Sequence, residues 1–194
     1  DPQVQINFLR HVVTFLIGIS EELPSLKFEA IVILDSNGGS VSAYGLLSDQ
    51  LRRLRETVGH NGADIVLTVS CDQAALSGGY MMAALASPGQ LLAAPFAYIG
   101  SIGARTSTVF NVRGLLEPYG VTMASFKGGK YKDPTNPFNE MSEDEKEHMQ
   151  RHIDSFHEEF RVHVRKWRGD IIQDYETATS GAYWTGKQAK ELGL

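Results

Sequence analysis

Two short apolar runs, Phe28-Glu-Ala-Ile-Val-Ile-Leu34 and Asp64-Ile-Val-Leu-Thr-Val69, constrain the fold more than any other feature of the chain. Each sets branched apolar residues side by side instead of alternating them with polar ones, the pattern of a strand covered on both faces. The first stops at a glycine pair, Gly38-Gly39. Beyond it, from Val41 to Glu56, Leu46, Leu47, Leu51 and Leu54 recur at helical spacing. The second run leads to another pair, Gly78-Gly79, which opens a small-residue helix to about Ala86. Strand, glycine turn and helix in alternation predict an α/β domain with a largely buried sheet.

The same pattern predicts a helix from about Asn7 to Ser20, a short strand over Gln90–Ala93 and an extended segment around Ile99–Ala104. A helix around Val109–Tyr119 and a strand over Val121–Phe126 follow. In Ser142-Glu-Asp-Glu145 a serine hydroxyl and a glutamate carboxylate, three residues apart, each satisfy an orphaned backbone N–H. This capping box opens a helix to about Trp167, and short helices near Ile171–Thr177 and Thr185–Leu192 finish the chain. No repeat, low-complexity tract or linker interrupts the pattern, so the 194 residues are read as one domain, 1–194.

Composition removes several function classes. The 23 acidic residues outnumber the 18 basic ones, and a net charge of −5 offers no field to gather phosphates, which argues against a nucleic-acid partner. One cysteine, Cys71, rules out an internal disulfide and a site built from several thiolates. The most apolar stretch, Phe8–Ile19, has 12 residues where a membrane helix needs roughly 20. It lacks the basic leader and small-residue cleavage site of a signal peptide. Asp1-Pro2 and Leu194 read as cut ends, with any membrane anchor lying outside this stretch.

The chemistry-bearing candidates cluster at the glycine pairs. In Ala74-Ala-Leu-Ser-Gly-Gly-Tyr80, Ser77 stands just before a helix, where a nucleophile's product oxyanion can be held by backbone N–H groups. Spacing alone favours a tight turn with a serine N-cap. A nucleophilic serine needs a base. Of the six histidines, His148, His152, His157 and His163 share the long C-terminal helix with many charged residues and read as a solvated face; the others are His11 and His60. His148 and His152, four residues apart, lack the supporting pattern of a metal site, and neither metal nor cofactor is assigned. Lys132, in Phe126-Lys-Gly-Gly-Lys-Tyr-Lys-Asp133, is the alternative base, with Lys127 and Lys130 as competitors. A lysine accepts a proton near neutral pH only when desolvation lowers its pKa. Cys71, Tyr80, Met81, Met82 and Phe96 lie near these motifs and read as core.

Four segments, taken together, resemble a known family: Asp35-Ser-Asn-Gly-Gly-Ser-Val41, Ala75-Leu-Ser-Gly-Gly-Tyr-Met-Met82, Ala94-Pro-Phe-Ala-Tyr-Ile-Gly-Ser-Ile-Gly103 and Gly129-Lys-Tyr-Lys-Asp133. Their order and spacing are similar to the protease IV family, the signal peptide peptidase A family of serine–lysine peptidases. The Tyr-Met-Met continuation, the Ala-Pro-Phe segment and Tyr44-Gly-Leu46 look like its short SohB-type branch. The likeness runs from about residue 4 to the closing Thr185-Gly-Lys-Gln-Ala-Lys-Glu-Leu-Gly-Leu194.

The resemblance implies a ClpP/crotonase-like fold of stacked β-β-α units and an endopeptidase acting on hydrophobic or membrane-associated peptides, such as cleaved signal peptides. It implies Ser77 as nucleophile, Lys132 as general base and then acid, and Ser101 as the residue orienting the lysine. The N–H groups of Gly39 and Gly78 match the oxyanion hole, with Gly38 and Gly79 supporting the turns. It further implies a membrane-associated, extracytoplasmic homo-oligomer in which the serine and lysine can come from neighbouring protomers. The chain departs from the family at Asn37, where proline is usual, and at Leu76, where alanine is common. The family's first strand, expected before the Asn7 helix, is missing. A ClpP-like triad has no histidine to use between His60 and His148. Two alternatives share the architecture: a crotonase-like acyl-CoA enzyme, whose chemistry needs neither Ser77 nor Lys132, and a non-catalytic oligomeric binding protein.

Overall fold

The computed structural model describes residues 2–23, 25, 27–57 and 64–194; His60 lies outside the described residues. The chain forms two compact units, one of Asp1–Gly103 with Glu159–Leu194, the other of Ala104–Glu158. The class is α/β, as the strand and helix alternation predicts.

In the first unit, α1 (Pro2–Glu22), β1 (Lys27–Ser36), α2 (Val41–Thr57), β2 (Asp64–Leu76), α3 (Gly78–Ala83), β3 (Leu91–Ala93) and β4 (Tyr98–Gly100) follow in order. The sheet runs β1-β2-β4-β5, where β5 is Tyr183–Thr185 near the C-terminus, and β3 also pairs with β2. β1, β3 and β4 all lie parallel to β2, and β5 is antiparallel to β4. The long β2 is the spine of this sheet. Ile65, Leu67, Val69 and Cys71 on it are buried, and Thr68 on its opposite face is buried too, bonded to Glu29 and Gln90.

β1 departs from the expectation of burial on both faces. Leu34 joins the core with Phe28, Ala30 and Val32, whereas Ile31 and Ile33 are 62% and 73% exposed. β1 meets the core on one face only, so strand period 2 decides which side chains are covered. On α2 the predicted stripe holds at Leu47, Leu51 and Leu54, while Leu46 turns outward. α7 (Gly186–Leu192) opens with a capping box of Thr185 and Gln188. α6 (Tyr175–Ala178) starts later than expected because Asp174 accepts from the Thr177 N–H at 3.1 Å and fixes the helix start there.

The second unit holds α4 (Arg113–Leu116), a 3-10 turn at Glu117–Tyr119 and the first part of α5 (Glu143–Arg168). The Ser142–Glu145 capping box forms: the Glu145 carboxylate accepts from the Ser142 N–H at 3.0 Å, and Ser142 Oγ accepts from the Glu145 N–H at 3.3 Å. The strand expected at 121–126 does not form. An apolar run becomes a strand only where another edge takes up its backbone groups, and no described residue pairs with this one. Val121, Met123 and Phe126 are exposed instead. Among the described residues, no helix is long and apolar enough to cross a membrane.

Candidate functional site

The site begins with a mismatch in strand length. Leu34 of β1 pairs with Cys71 of β2, yet two residues on Ser36 pairs with Ala75, so β2 spends four residues where β1 spends two. Being parallel, the two strands finish at the same end of the sheet, the carboxyl end where α/β sheets bind ligands. There the turn after β1 meets the turn after β2. A Cβ at Gly38, whose φ is 83°, would lie 2.8 Å from Gly78 N, from Leu76 O and from Ser77 Cβ. Only glycine permits so close an approach with that backbone.

Ser77 sits at the β2–α3 corner with φ 51° and ψ −119°. A non-glycine residue held there costs on the order of 1–3 kcal/mol, which the surrounding bonds must sustain. Its N–H donates to Gly100 O at 2.8 Å, extending the β2–β4 pairing, and its carbonyl accepts from the Met81 N–H at 3.0 Å. Its side chain does not cap α3, and its hydroxyl has no hydrogen-bond partner among the described residues. The N-cap reading therefore fails at this serine. Gly78 and Gly79 directly after it are buried. A Cβ at Gly79 would lie 2.7 Å from Ser36 O.

The bond from Ser77 to Gly100 places Ser101 beside the same corner. Ser101 also has a positive φ, 52°, and its N–H donates to Ala182 O at 2.6 Å. Gly38, Gly39, Ser77, Gly78, Gly79 and Ser101 thus all belong to the first unit.

Lys132 belongs to the second unit. It is exposed, in a loop whose Lys132 N–H donates to Gly129 O at 3.2 Å, and it lines a cavity of about 500 Å³ with Phe126, Lys127, Asp133 and Asn139. Its two competitors are occupied. Lys127 Nζ lies 2.5 Å from Glu145 Oε1, and this bond with those from Ser142 holds the Glu145 carboxyl down at about 2. Lys130 Nζ lies 2.7 Å from Asp144, whose hydrogen bond raises the lysine's pKa. Among the described residues Lys132 makes no ion pair.

Two expectations near the site need correction. His163 does not lie on a solvated face: its Nε2 meets Met81 O at 2.9 Å, and burial pushes its pKa down. The helical period carries it to the inner side of α5, next to the buried Val164. Phe96 is not core but 88% exposed, because it occupies the turn between β3 and β4 and lines a depression of about 510 Å³ with Asp35, Asn37 and Asp72. Cys71, Tyr80 and Met82 are buried, and Met81 is half-buried. Burial pushes the Cys71 thiol up to about 12. His148 stacks on Tyr131 with ring centroids 4.0 Å apart. No group of three or more potential metal ligands gathers among the described residues.

Sequence reasoning overlooked Ser36 and Tyr44 as parts of this corner. Tyr44 is an aromatic residue in the first turn after a glycine pair, five residues past Gly39, and glycines leave an opening that a ring fills. That pairing was the available signal.

Comparison with known proteins gives a consistent picture. Residues 61–194 match the family model described as peptidase family S49. A protein named probable protease SohB from Buchnera aphidicola subsp. Schlechtendalia chinensis is 34% identical over 98% of this chain and 57% of its own length. A provisionally named signal peptide peptidase SppA from Enterococcus faecium is 29% identical over 83% of this chain and 44% of its own length. A protein of Arabidopsis thaliana named serine protease SPPA, chloroplastic, is 29% identical over 88% of this chain and 24% of its own length. The chain thus spans about half the length, or less, of these relatives.

Proposed function

Because the chain belongs to peptidase family S49, we propose that it is the catalytic part of a serine endopeptidase with a Ser77–Lys132 dyad. The observation that carries this reading is the Ser77 corner: a serine in a strained backbone, its hydroxyl unused for capping, wedged between two glycine turns. That Lys132 makes no ion pair among the described residues supports that lysine over Lys127 and Lys130.

In this mechanism Lys132, exposed in the single chain, is desolvated when substrate or a neighbouring protomer covers its loop, and its amine takes the Ser77 proton as Oγ attacks the scissile carbonyl carbon. The carbonyl oxygen becomes an oxyanion and accepts hydrogen bonds from the Gly39 and Gly78 N–H groups. One such donor is worth roughly 2.7–4 kcal/mol in the transition state. The C–N bond then breaks, and the Lys132 ammonium returns its proton to the leaving amine. Water attacks the acyl-enzyme with Lys132 again accepting a proton, and Ser77 is regenerated. Ser101 orients the lysine, and Gly38 and Gly79 hold the turns.

The fold we assign is ClpP/crotonase-like, working as a homo-oligomer at the extracytoplasmic side of a membrane on apolar peptides such as spent signal peptides. The test is labelling by a fluorophosphonate probe in the full-length protein. Modification should map to Ser77 and vanish in Ser77→Ala and in Lys132→Ala. Labelling that persists at full rate in Lys132→Ala removes the dyad; no labelling of the wild type removes the peptidase assignment.

A further inference from the structure

The two glycines assigned to the oxyanion hole come from different turns, and something must set the distance between their N–H groups. A Cβ built at Gly78 would lie 2.3 Å from Tyr44 Cγ and 2.6 Å from Tyr44 Cβ. A Cβ built at Gly39 would lie 3.1 Å from Tyr44 Cε2. One half-buried ring therefore rests against both glycines, its near edge on one and its far edge on the other.

The ring is held at both ends. Its backbone N–H donates to Ser40 O at 3.0 Å, fixing it at the start of α2. Its hydroxyl lies 2.7 Å from Ser36 Oγ, and the same Oγ accepts the Gly38 N–H at 3.2 Å. Ser36 in turn is the residue re-registered by the β-bulge, and its carbonyl packs on Gly79. The hydroxyl pair thus ties the end of β1, the first glycine turn and the second glycine turn to one side chain.

We infer that Tyr44, with Ser36, is a positioning residue that spaces the Gly39 and Gly78 N–H groups for the tetrahedral oxyanion, an inference that rests on the peptidase reading above. Its ring acts as a rigid spacer, with only two side-chain torsions to freeze. Its hydroxyl keeps the spacer from rotating. Donors aimed at the developing oxyanion stabilise the transition state more than the ground state, so loss of the spacer should appear in kcat and not in KM.

The experiment uses the full-length protein and a chromogenic peptide that the wild type cleaves, with four variants: Tyr44→Phe, Ser36→Ala, their combination, and Tyr44→Leu. Tyr44→Phe should lower kcat by about tenfold and Ser36→Ala by at least as much, since it also removes the acceptor of the Gly38 N–H; the double variant should be no worse than Ser36→Ala, which already breaks the bond that Tyr44→Phe removes. Tyr44→Leu should lower kcat by about 100-fold, the scale of a lost oxyanion donor. KM and the unfolding midpoint of Tyr44→Phe should stay at wild-type values, and the affinity for a peptide boronate, which mimics the tetrahedral state, should fall in step with kcat/KM. If Tyr44→Leu does not fold, the Tyr44→Phe and Ser36→Ala cycle decides alone. Wild-type kcat and boronate affinity in the Phe and Ala variants, with Ser77 still labelled by fluorophosphonate, overturns the Tyr44 inference and leaves the dyad standing. A wild type that is not labelled at Ser77 overturns both.

Discussion

Gly38 meets two demands at the corner at once, a left-handed backbone and a close approach to the second glycine turn. Its backbone is left-handed, and three atoms of the neighbouring turn stand 2.8 Å from where a Cβ would be. Gly38→Ala should therefore destabilise the fold by at least about 1–2 kcal/mol from backbone strain alone, before the contact is relieved. The relief has to come from moving Gly78, so labelling of Ser77 should slow by more than the stability loss explains; chemical denaturation alongside probe kinetics separates the two. Lys132→Arg makes a complementary test. Arginine keeps the charge but does not release a proton in the working pH range, so turnover should fall as far as in Lys132→Ala. The Ser77 corner was legible in the sequence as far as Ser77 and its glycine pairs, which stand in recognisable strings at strand ends. Tyr44 was not, because what matters about it is the empty space left by glycines 5 and 34 residues away, a relation that exists only after folding.

Among the elements, the helices were easier to read than the short strands. The capping box at Ser142 declares the start of α5 in local chemistry, and Ser142→Ala should cost about 1 kcal/mol, visible as faster amide exchange over the first turn of α5. β5, by contrast, is three residues long and exists through its antiparallel pairing with β4, so no local pattern marks it. Residues 121–126 show the converse, an apolar run without an edge to join. Within the first unit, the C-terminal part of α5 also carries a pH response. Burial depresses the pKa of His163, whose ring bonds the same Met81 carbonyl that Ser48 Oγ reaches at 3.2 Å. With the folded pKa below the unfolded value of about 6.5, the unfolded chain binds the proton first. Stability is thus full above that pH and falls as the pH drops towards the folded pKa. Thermal melts between pH 8 and 5 should show this decline in the wild type and a shallower one in His163→Gln.

At the level of the whole molecule, the exposed apolar residues of the second unit are its most conspicuous property. Phe110, Tyr119 and Phe126 are 72%, 80% and 97% exposed, more than a soluble surface ordinarily leaves bare in one short stretch. If the homo-oligomer we propose covers them, Phe110→Ser with Phe126→Ser should reduce the sedimentation coefficient towards that of a single chain. Unchanged sedimentation would separate assembly from this surface. The burial of Cys71 has a practical consequence of another kind. This thiol is the chain's sole cysteine, is fully enclosed on β2 six residues before Ser77, and is held at a pKa of about 12. A thiol reagent reaches it only when the central strand comes open, so its modification rate is a clock for that opening, running in the native protein with no label introduced. Read with and without a peptide boronate, the clock reports how strongly occupation of the Ser77 corner fastens the strand that leads to the proposed nucleophile.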